Sequence, residues 1–459
     1  MNDDVVTGSV PFPDVQIVFL DQDWPDYHYP EHMERKFPTA DAFVSWQCFM
    51  AAPGLEDDAL GAALLAVLRH HDALRTRLAK VEGRWRQTFA PPDDKPPLVS
   101  ADLSALGRDE QERAVHEAFD AGLTSLSLHD GPVMSCVHLR RGANRPGLVL
   151  LFTNHIIVDW YSSQILAADL DSALSQAMLG QRIVLPPKTT SVKAWGERVQ
   201  SVIGSGEWAD DLRRLTAYKR SWPPVPPGGL PLDYAEENTD EPAADEVTVT
   251  LDAAVTEVLV RQALSIWHAR FLDLLQTALA RAIAPWAGIA ALPMCVVMHG
   301  RDPIFDDVDL TRTVGAYAMG LLDVVRPDAD PSLSPLADPR LRFAQVLMNF
   351  SRPLEMTYES DGRAPYVSVY DRYNPQVTVN FQGRLGQPGN LRTLTPFQAD
   401  EWLDTRIRAV STSLDCLLAI DAGALRATWK YSPRFYHRAT IARLADTFIA
   451  ELTALRKDP

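Results

Sequence analysis

A mixed α/β fold built as two halves is predicted by three observations. Apolar stretches of strand length alternate with amphipathic helical stretches, the alternation runs through both parts of the chain, and it breaks around Leu185-Pro186-Pro187-Lys188. The expected division is 1–184 and 185–459. A chain of 459 residues that is 46% hydrophobic and 23% charged can bury a sizeable core.

In the first half, Ala42–Met50 reads as a strand and Leu55–His71 as a helix, with Leu60, Leu64, Val67 and Leu68 on one stripe. Strands follow near Trp85–Phe89 and Val133–Leu139, with a helix around Arg108–Ala121 between them. Gly147–Thr153 is a continuous apolar run, as expected of a strand covered on both faces. The next helix spans Ser162–Leu179, with Gly180 as its stop. Helices near Val192–Ile203 and Trp208–Lys219 open the second half. The Pro-, Gly- and then acid-rich stretch Trp222–Glu246 reads as the least ordered segment, a solvated surface connection. Helices near Ala253–Trp267 and Phe271–Trp286 precede strands near Met294–His299, Leu321–Val325, Gln376–Phe381, Ile407–Ala419 and Leu425–Tyr431. A closing helix carries Ile441, Leu444, Phe448, Ile449, Leu452 and Leu455.

Several function classes fall away. A net charge of −16 argues against nucleic acid, because a phosphate backbone demands a basic face; an acidic partner would need a local basic patch. No apolar run approaches membrane-spanning length, and the acidic N-terminus lacks the form of a signal peptide, so a cytoplasmic protein is expected. The four cysteines, Cys48, Cys136, Cys295 and Cys416, are far apart and have no metal or redox spacing. Neither a metal nor a tightly bound cofactor is expected. There is no Gly-rich phosphate loop, no Gly-x-Ser-x-Gly elbow and no His-Glu-x-x-His.

One histidine stands apart. His155 follows the buried strand directly, and Asp159 comes four residues later, before a helix. A strand end opening into a helix is a place from which a side chain can project into a crevice. A neutral imidazole there can accept a proton near pH 7. Two readings stand for His155: such a base, or a polar residue satisfied at a strand end. Two also stand for Asp159: orienting His155, or holding the loop by pairing with an arginine, with Arg75 and Arg301 as candidates.

The segment Asn154-His155-Ile156-Ile157-Val158-Asp159-Trp160 resembles the His-His-x-x-x-Asp-Gly signature of the condensation domains of nonribosomal peptide synthesis. Other segments resemble the epimerization branch of that superfamily. They are Thr7-Gly8 and Pro11 ahead of Gln16, His70-His71-Asp72-Ala73-Leu74-Arg75, Leu185 to Ser191 ahead of Trp195, His299-Gly300-Arg301-Asp302, Arg312-Thr313-Val314-Gly315, Val379 to Gly383 and Trp429 to Ser432. They occur in the family's order along nearly the whole chain. The resemblance implies two chloramphenicol-acetyltransferase-like halves meeting in a V around a central tunnel, which admits the phosphopantetheine arm of a peptidyl or acyl carrier protein. It also implies that His155 is the catalytic residue and that Asp159 maintains local structure through an arginine.

The departures from the family are informative. The first signature histidine is Asn154 and the signature glycine is Trp160; if that position requires positive φ, a non-glycine residue costs about 1–2 kcal/mol. The glutamate of epimerization domains is Val297, and the tyrosine of their Asn-Tyr-Leu-Gly segment is Phe381. Inverting a carbon centre takes a group on each face, and valine neither donates nor accepts a proton, so two-base epimerization is not expected. The resemblance then implies His-dependent acyl transfer to a small-molecule amine or alcohol. The alternatives are another proton transfer at the acyl thioester (elimination or cyclisation) and a catalytically inactive module that docks a carrier or recruits an enzyme. Asn154, Trp160, Ser162, Val297, Met298, His299, Asn380 and Phe381 are the candidates for contact with substrate. With no adenylation or carrier segment in the sequence, the carrier is expected to arrive in trans and to bind in a salt-sensitive way.

Overall fold

The computed structural model describes residues 5–11, 39–82, 84–142, 145–203, 205–224, 229–242, 244–350 (the last three by backbone alone), 375–385, 391–396 and 414–457. Gln16 and positions 407–413 of the strand expected over Ile407–Ala419 lie outside these residues. Among the described residues no helix is long and apolar enough to cross a membrane.

The chain runs β1 (Gly8–Val10), β2 (Val44–Ala51), α1 (Asp57–His70), β3 (Thr76–Val81), β4 (Arg84–Phe89), β5 (Leu98–Asp102), α2 (Arg108–Leu123), β6 (Met134–Arg140), β7 (Gly147–Asn154) and α3 (Trp160–Met178). There follow α4 (Val192–Ile203), α5 (Ala209–Arg220), β8 (Asp245–Leu251), α6 (Ala253–Ser265), α7 (Phe271–Ala287), β9 (Leu292–Met298), β10 (Met319–Val325) and α8 (Pro339–Phe350). The described chain ends with β11 (Val377–Arg384), β12 (Leu394–Pro396), β13 (Leu414–Asp421), β14 (Ala424–Tyr431) and α9 (Arg438–Leu455).

Two large sheets organise the molecule, ordered β12-β2-β7-β6-β5 and β10-β9-β11-β13-β14-β8, beside a small sheet β1-β4-β3. In the first, β7 is buried along its whole length, because α1 and α3 cover one face and α2 the other. In the second, Met294, Val296 and Met298 of β9 and Val377 and Val379 of β11 pack on α7 and α9. The alternate residues Cys295, Val297, Thr378 and Asn380 are only half-buried, so they mark the opposite face.

The sheets are not sealed by half. Although β12 comes late in the chain, it pairs antiparallel with β2 of the first sheet, with Leu394 opposite Ala51. The buried carboxylate of Asp171 on α3 holds it there, accepting the amide hydrogens of Arg392, Thr393 and Leu394 at 2.8, 2.8 and 2.7 Å.

The periodic elements fall within a few residues of expectation. Strands β1, β3, β5, β8 and β12 and helix α8 were not anticipated; β3 and β5 carry charged or polar residues and bury little of their length, so alternation is weak. Most described residues of Trp222–Glu246 are exposed and irregular up to β8, as expected of a solvated surface connection, but the stretch is anchored. Trp222 is buried, and the segment is tied to the start of α9 by Glu237–Arg434 at 2.7 Å and by Asp233 accepting from the His437 amide at 2.8 Å. Cys48, Cys136 and Cys416 are buried and unbridged, and burial pushes the thiols of Cys48 and Cys136 up to about 12, so they are not thiolates at neutral pH.

Replacing Asp171 by Ala strands three backbone donors, and a loss of about 3 kcal/mol is expected. Hydrogen exchange read together with thermal unfolding checks this: amides 392–394 should exchange faster in the variant than in the parent.

Candidate active site

Helix α3 begins where strand β7 ends, and the turn between them is built to leave one side chain out of the core. Ile156, Ile157 and Val158 are buried in the first half's core, whereas His155 remains half-buried. The turn closes through Ile157 and Val158 amides donating to the Asn154 carbonyl at 3.1 and 2.9 Å, and the His155 amide donates to the Phe43 carbonyl at 2.7 Å.

The imidazole is held on one side only. Its Nδ1 lies 3.0 Å from the Val158 carbonyl oxygen and 2.9 Å from Ser45 Oγ. A carbonyl can only accept, so Nδ1 carries the proton, and Nε2 of the neutral ring keeps its lone pair. Nε2 has no hydrogen-bond partner among the described residues. The edge of the ring meets that of Phe43 in a T-shaped contact, 4.8 Å between centroids. Burial pushes the pKa of His155 down, against the opposing pull of the Val158 hydrogen bond and the Asp159 charge. The ring is therefore neutral at pH 7, tautomerically fixed, and bare at the nitrogen that can take a proton.

Asp159 serves the loop and not the imidazole. Its carboxylate caps α3 through the Ser162 amide at 2.8 Å and accepts both Nη groups of Arg301 at 2.8 and 2.9 Å. It also accepts the backbone amides of Tyr317 and Ala318 at 2.9 and 3.1 Å. Burial alone would raise its pKa; the charge and hydrogen bonds of Arg301, with the amides of Ser162 and Tyr317, outweigh that and hold it below the usual carboxylate value. The guanidinium of Arg301 sits 4.6 Å from each of the rings of Tyr161 and Tyr317, and it reaches Ser162 Oγ at 2.7 Å. Gly300 has φ 65°, and a Cβ there would stand 2.0 Å from the Tyr317 carbonyl oxygen, so the turn that delivers Arg301 requires glycine.

Arg75 is corrected: it pairs with Asp72 at 2.5 Å, and none of its hydrogen bonds reaches Asp159. Asn154 is fully buried, its amide donating to the Ala40 carbonyl at 3.0 Å and accepting from the Ile156 amide at 3.0 Å, so it shapes the turn and does not face a ligand. Ser162 is likewise buried, spent on Arg301 and on both backbone groups of Gly315. Trp160 is half-buried and is the first residue of α3; it is not among the residues with positive φ, so the strain considered for a non-glycine residue does not arise.

Strand parity separates the remaining candidates. Val297 lies beside Asn380 across the parallel β9–β11 pair, both on the half-buried face. Met298 and Phe381 belong to the other face: Met298 is in the core, and Phe381 packs against Phe271 of α7, ring centroids 5.6 Å apart. His299 is exposed, its Nδ1 accepting the Arg301 amide at 3.0 Å. Asp415 shares the face of Val297, two strands and two residues away, about 12 Å by strand geometry, too far to stand in for an acid at that position. Residues that sequence reasoning missed are Ser45, Phe43, Tyr161, Gly315 and Tyr317. All but Tyr161, which follows Trp160 on α3, arrive from distant segments, and only the β2–β7 register, with Val44 opposite Asn154, brings Phe43 and Ser45 to the imidazole.

Two α/β sheets stitched through a buried Asp–Arg pair, with a histidine offered from the strand-to-helix turn, define a class of protein. The condensation-domain family model matches residues 33–459, and the chain belongs to that family. Among curated relatives, a linear gramicidin synthase protein of Brevibacillus parabrevis is 36% identical over 314 residues, covering 68% of this chain. A chondramide synthase of Chondromyces crocatus is 29% identical over 447 residues, covering 97%. The chain spans only 6% of the length of the first relative and 11% of the second. Among solved structures, the epimerization domain from the third module of a tyrocidine synthetase aligns with a TM-score of 0.73 at 23% identity, covering 99% of this chain and 98% of that one. The X-domain in complex with OxyB from teicoplanin biosynthesis aligns with a TM-score of 0.67 at 17% identity, covering 100% and 96%. These likenesses establish the mixed α/β fold of condensation and epimerization domains.

Nitrogen NMR of the histidine rings should find His155 as the Nδ1–H tautomer, titrating below the ordinary value of about 6.5. The folded value is the lower one, so the unfolded chain takes up the proton first as pH falls. The stability linked to this group is complete above pH ~6.5 and declines down to the folded pKa. Ser45→Ala should leave the Val158 bond, and with it the Nδ1–H tautomer, in place.

Proposed function

We propose that this condensation-family protein transfers an acyl group from a carrier-borne thioester to an amine or alcohol, with His155 as the base. The observation that carries this reading is the bare Nε2 of a ring fixed through Nδ1. In this reaction the nucleophile's nitrogen or oxygen attacks the thioester carbon and its proton passes to Nε2. The tetrahedral intermediate then expels the thiolate, which takes the proton back as the C–S bond breaks, leaving an amide or ester and the free thiol. A base with a lowered pKa remains in its working form at neutral pH. The acyl group would arrive on the phosphopantetheine arm of a peptidyl or acyl carrier protein, through a tunnel between two acetyltransferase-like halves that meet in a V. The division at 184/185, with β12 crossing over, belongs to the same proposal.

Single-base chemistry also fits the half-buried face of the second sheet. Inversion of a carbon centre would need a second proton carrier across from His155, and the paired residues Val297 and Asn380 supply an alkyl group and a neutral amide. Val297 and Asn380 are the residues we assign to contact with the acyl group, together with the half-buried Trp160 and the exposed His299.

Aminoacyl carrier incubated with candidate amines in deuterated water, and read by mass, tests the proposal. The expected result is a new amide, formed at least about 100-fold more slowly by His155→Ala. A D-configured product would overturn the single-base argument. Carrier binding that survives His155→Ala, with neither product nor deuterium uptake, would make the chain a docking module.

A further inference from the structure

We propose that the cleft where the connector between the halves meets both of them is a binding site for a phosphate group. The cleft is lined by His71 and Asp72 of the first half, Lys188 and Ser191 of the connector, and Arg312 and Thr313 of the second half. It is a small cleft that opens to solvent. It lies beside Asp169, ten residues along α3 from Asp159 and so about 15 Å from the imidazole's turn. The inference therefore stands apart from the acyl-transfer reading.

Charge selects the ligand. Asp72 is bonded to Arg75 at 2.5 Å and to Lys188 at 3.1 Å; Asp169 is bonded to His71 at 2.9 Å and to Arg312. Among the described residues, two carboxylates thus face three fixed cations before His71 is counted, a local positive excess in a chain whose net charge is −16. Donors converge on the same space. Arg312 engages Asp169 through one Nη and makes no other side-chain hydrogen bond among the described residues, which leaves most of its planar fork for an oxyanion. Helix α4 begins at the cleft, with Ser191 Oγ accepting the Ala194 amide at 3.1 Å; the first-turn amides of Val192 and Lys193 have no partner among the described residues. Independently of that helix, His71 is only 5% exposed and lines the cleft, and its Nδ1 has no hydrogen-bond partner among the described residues.

The competing occupant is a cation. His70, His71 and Asp169 offer ligand atoms within 4.8 Å of one another. A divalent ion there would have to break the His71–Asp169 bond and sit against Arg312, with Lys188 close by, so the electrostatics oppose it.

Calorimetry in chloride buffer with inorganic phosphate, methyl phosphate and dimethyl phosphate tests the proposal, alongside hydrogen exchange of the unaltered protein. The expected result is phosphate binding that protects amides 191–193, and a loss of at least about ten-fold, or ~1.4 kcal/mol, in Lys188→Gln and in Arg312→Gln. Methyl phosphate binding as tightly as inorganic phosphate would assign the site to a terminal ester, dimethyl phosphate to a bridging one, and inorganic phosphate alone to the free ion. Failure to bind any of the three, or binding without protection of 191–193, would overturn the proposal. So would Zn²⁺ binding that disappears in His71→Ala.

Discussion

The Asp159–Arg301 pair is the constraint on which the site depends. A carboxylate and a guanidinium buried together are costly unless their remaining donors and acceptors are met; here Ser162, Tyr317 and Ala318 meet those of the carboxylate and two tyrosine rings enclose the cation, while the Nε of Arg301 is buried without a hydrogen-bond partner among the described residues. The pair joins the first turn of α3 to the turn after β9, so it locks one half of the chain to the other. It repeats along the helix: Asp169 reaches Arg312, and Asp171 holds the strand that crosses from the second half into the first sheet. The buried acids of α3 act as a seam, with His155 at its upper end.

That seam explains how a half-buried histidine keeps one orientation. Its own turn is anchored by three apolar residues in the core and by the backbone of β2, and Asp159 fixes the start of the helix that the turn leads into. The signature aspartate thus acts at one remove. It positions the backbone whose carbonyl, at Val158, orients the ring. Val297 lies on the second sheet and takes no part in the hydrogen bonds that hold the turn.

Much of this was legible in the sequence, for physical reasons that can be named. The long periodic elements α1, α3, α7 and β7 were readable because each buries a continuous stripe or a whole strand. The short edge strands were not, since β12 has three residues and pairs only because Asp171 gathers the amides before it. His155 and Asp159 stood out through their motif, yet the choice between Arg75 and Arg301 as partner was beyond any local pattern. The separation of Val297 from Met298, and of Asn380 from Phe381, was available from strand alternation alone. Ser45 carried no signal, because its role arises from pairing across 110 residues.

A double-mutant cycle on Asp159 and Arg301, read by chemical denaturation, tests the seam most directly. Asp159→Ala and Arg301→Ala should each cost about 3–5 kcal/mol, since either leaves a buried charge without its partner. The double variant should cost little more than the worse single one, revealing strong coupling. Costs that simply add would contradict the account: the two residues would then be independent, and the orientation of His155 would have to be held by something else.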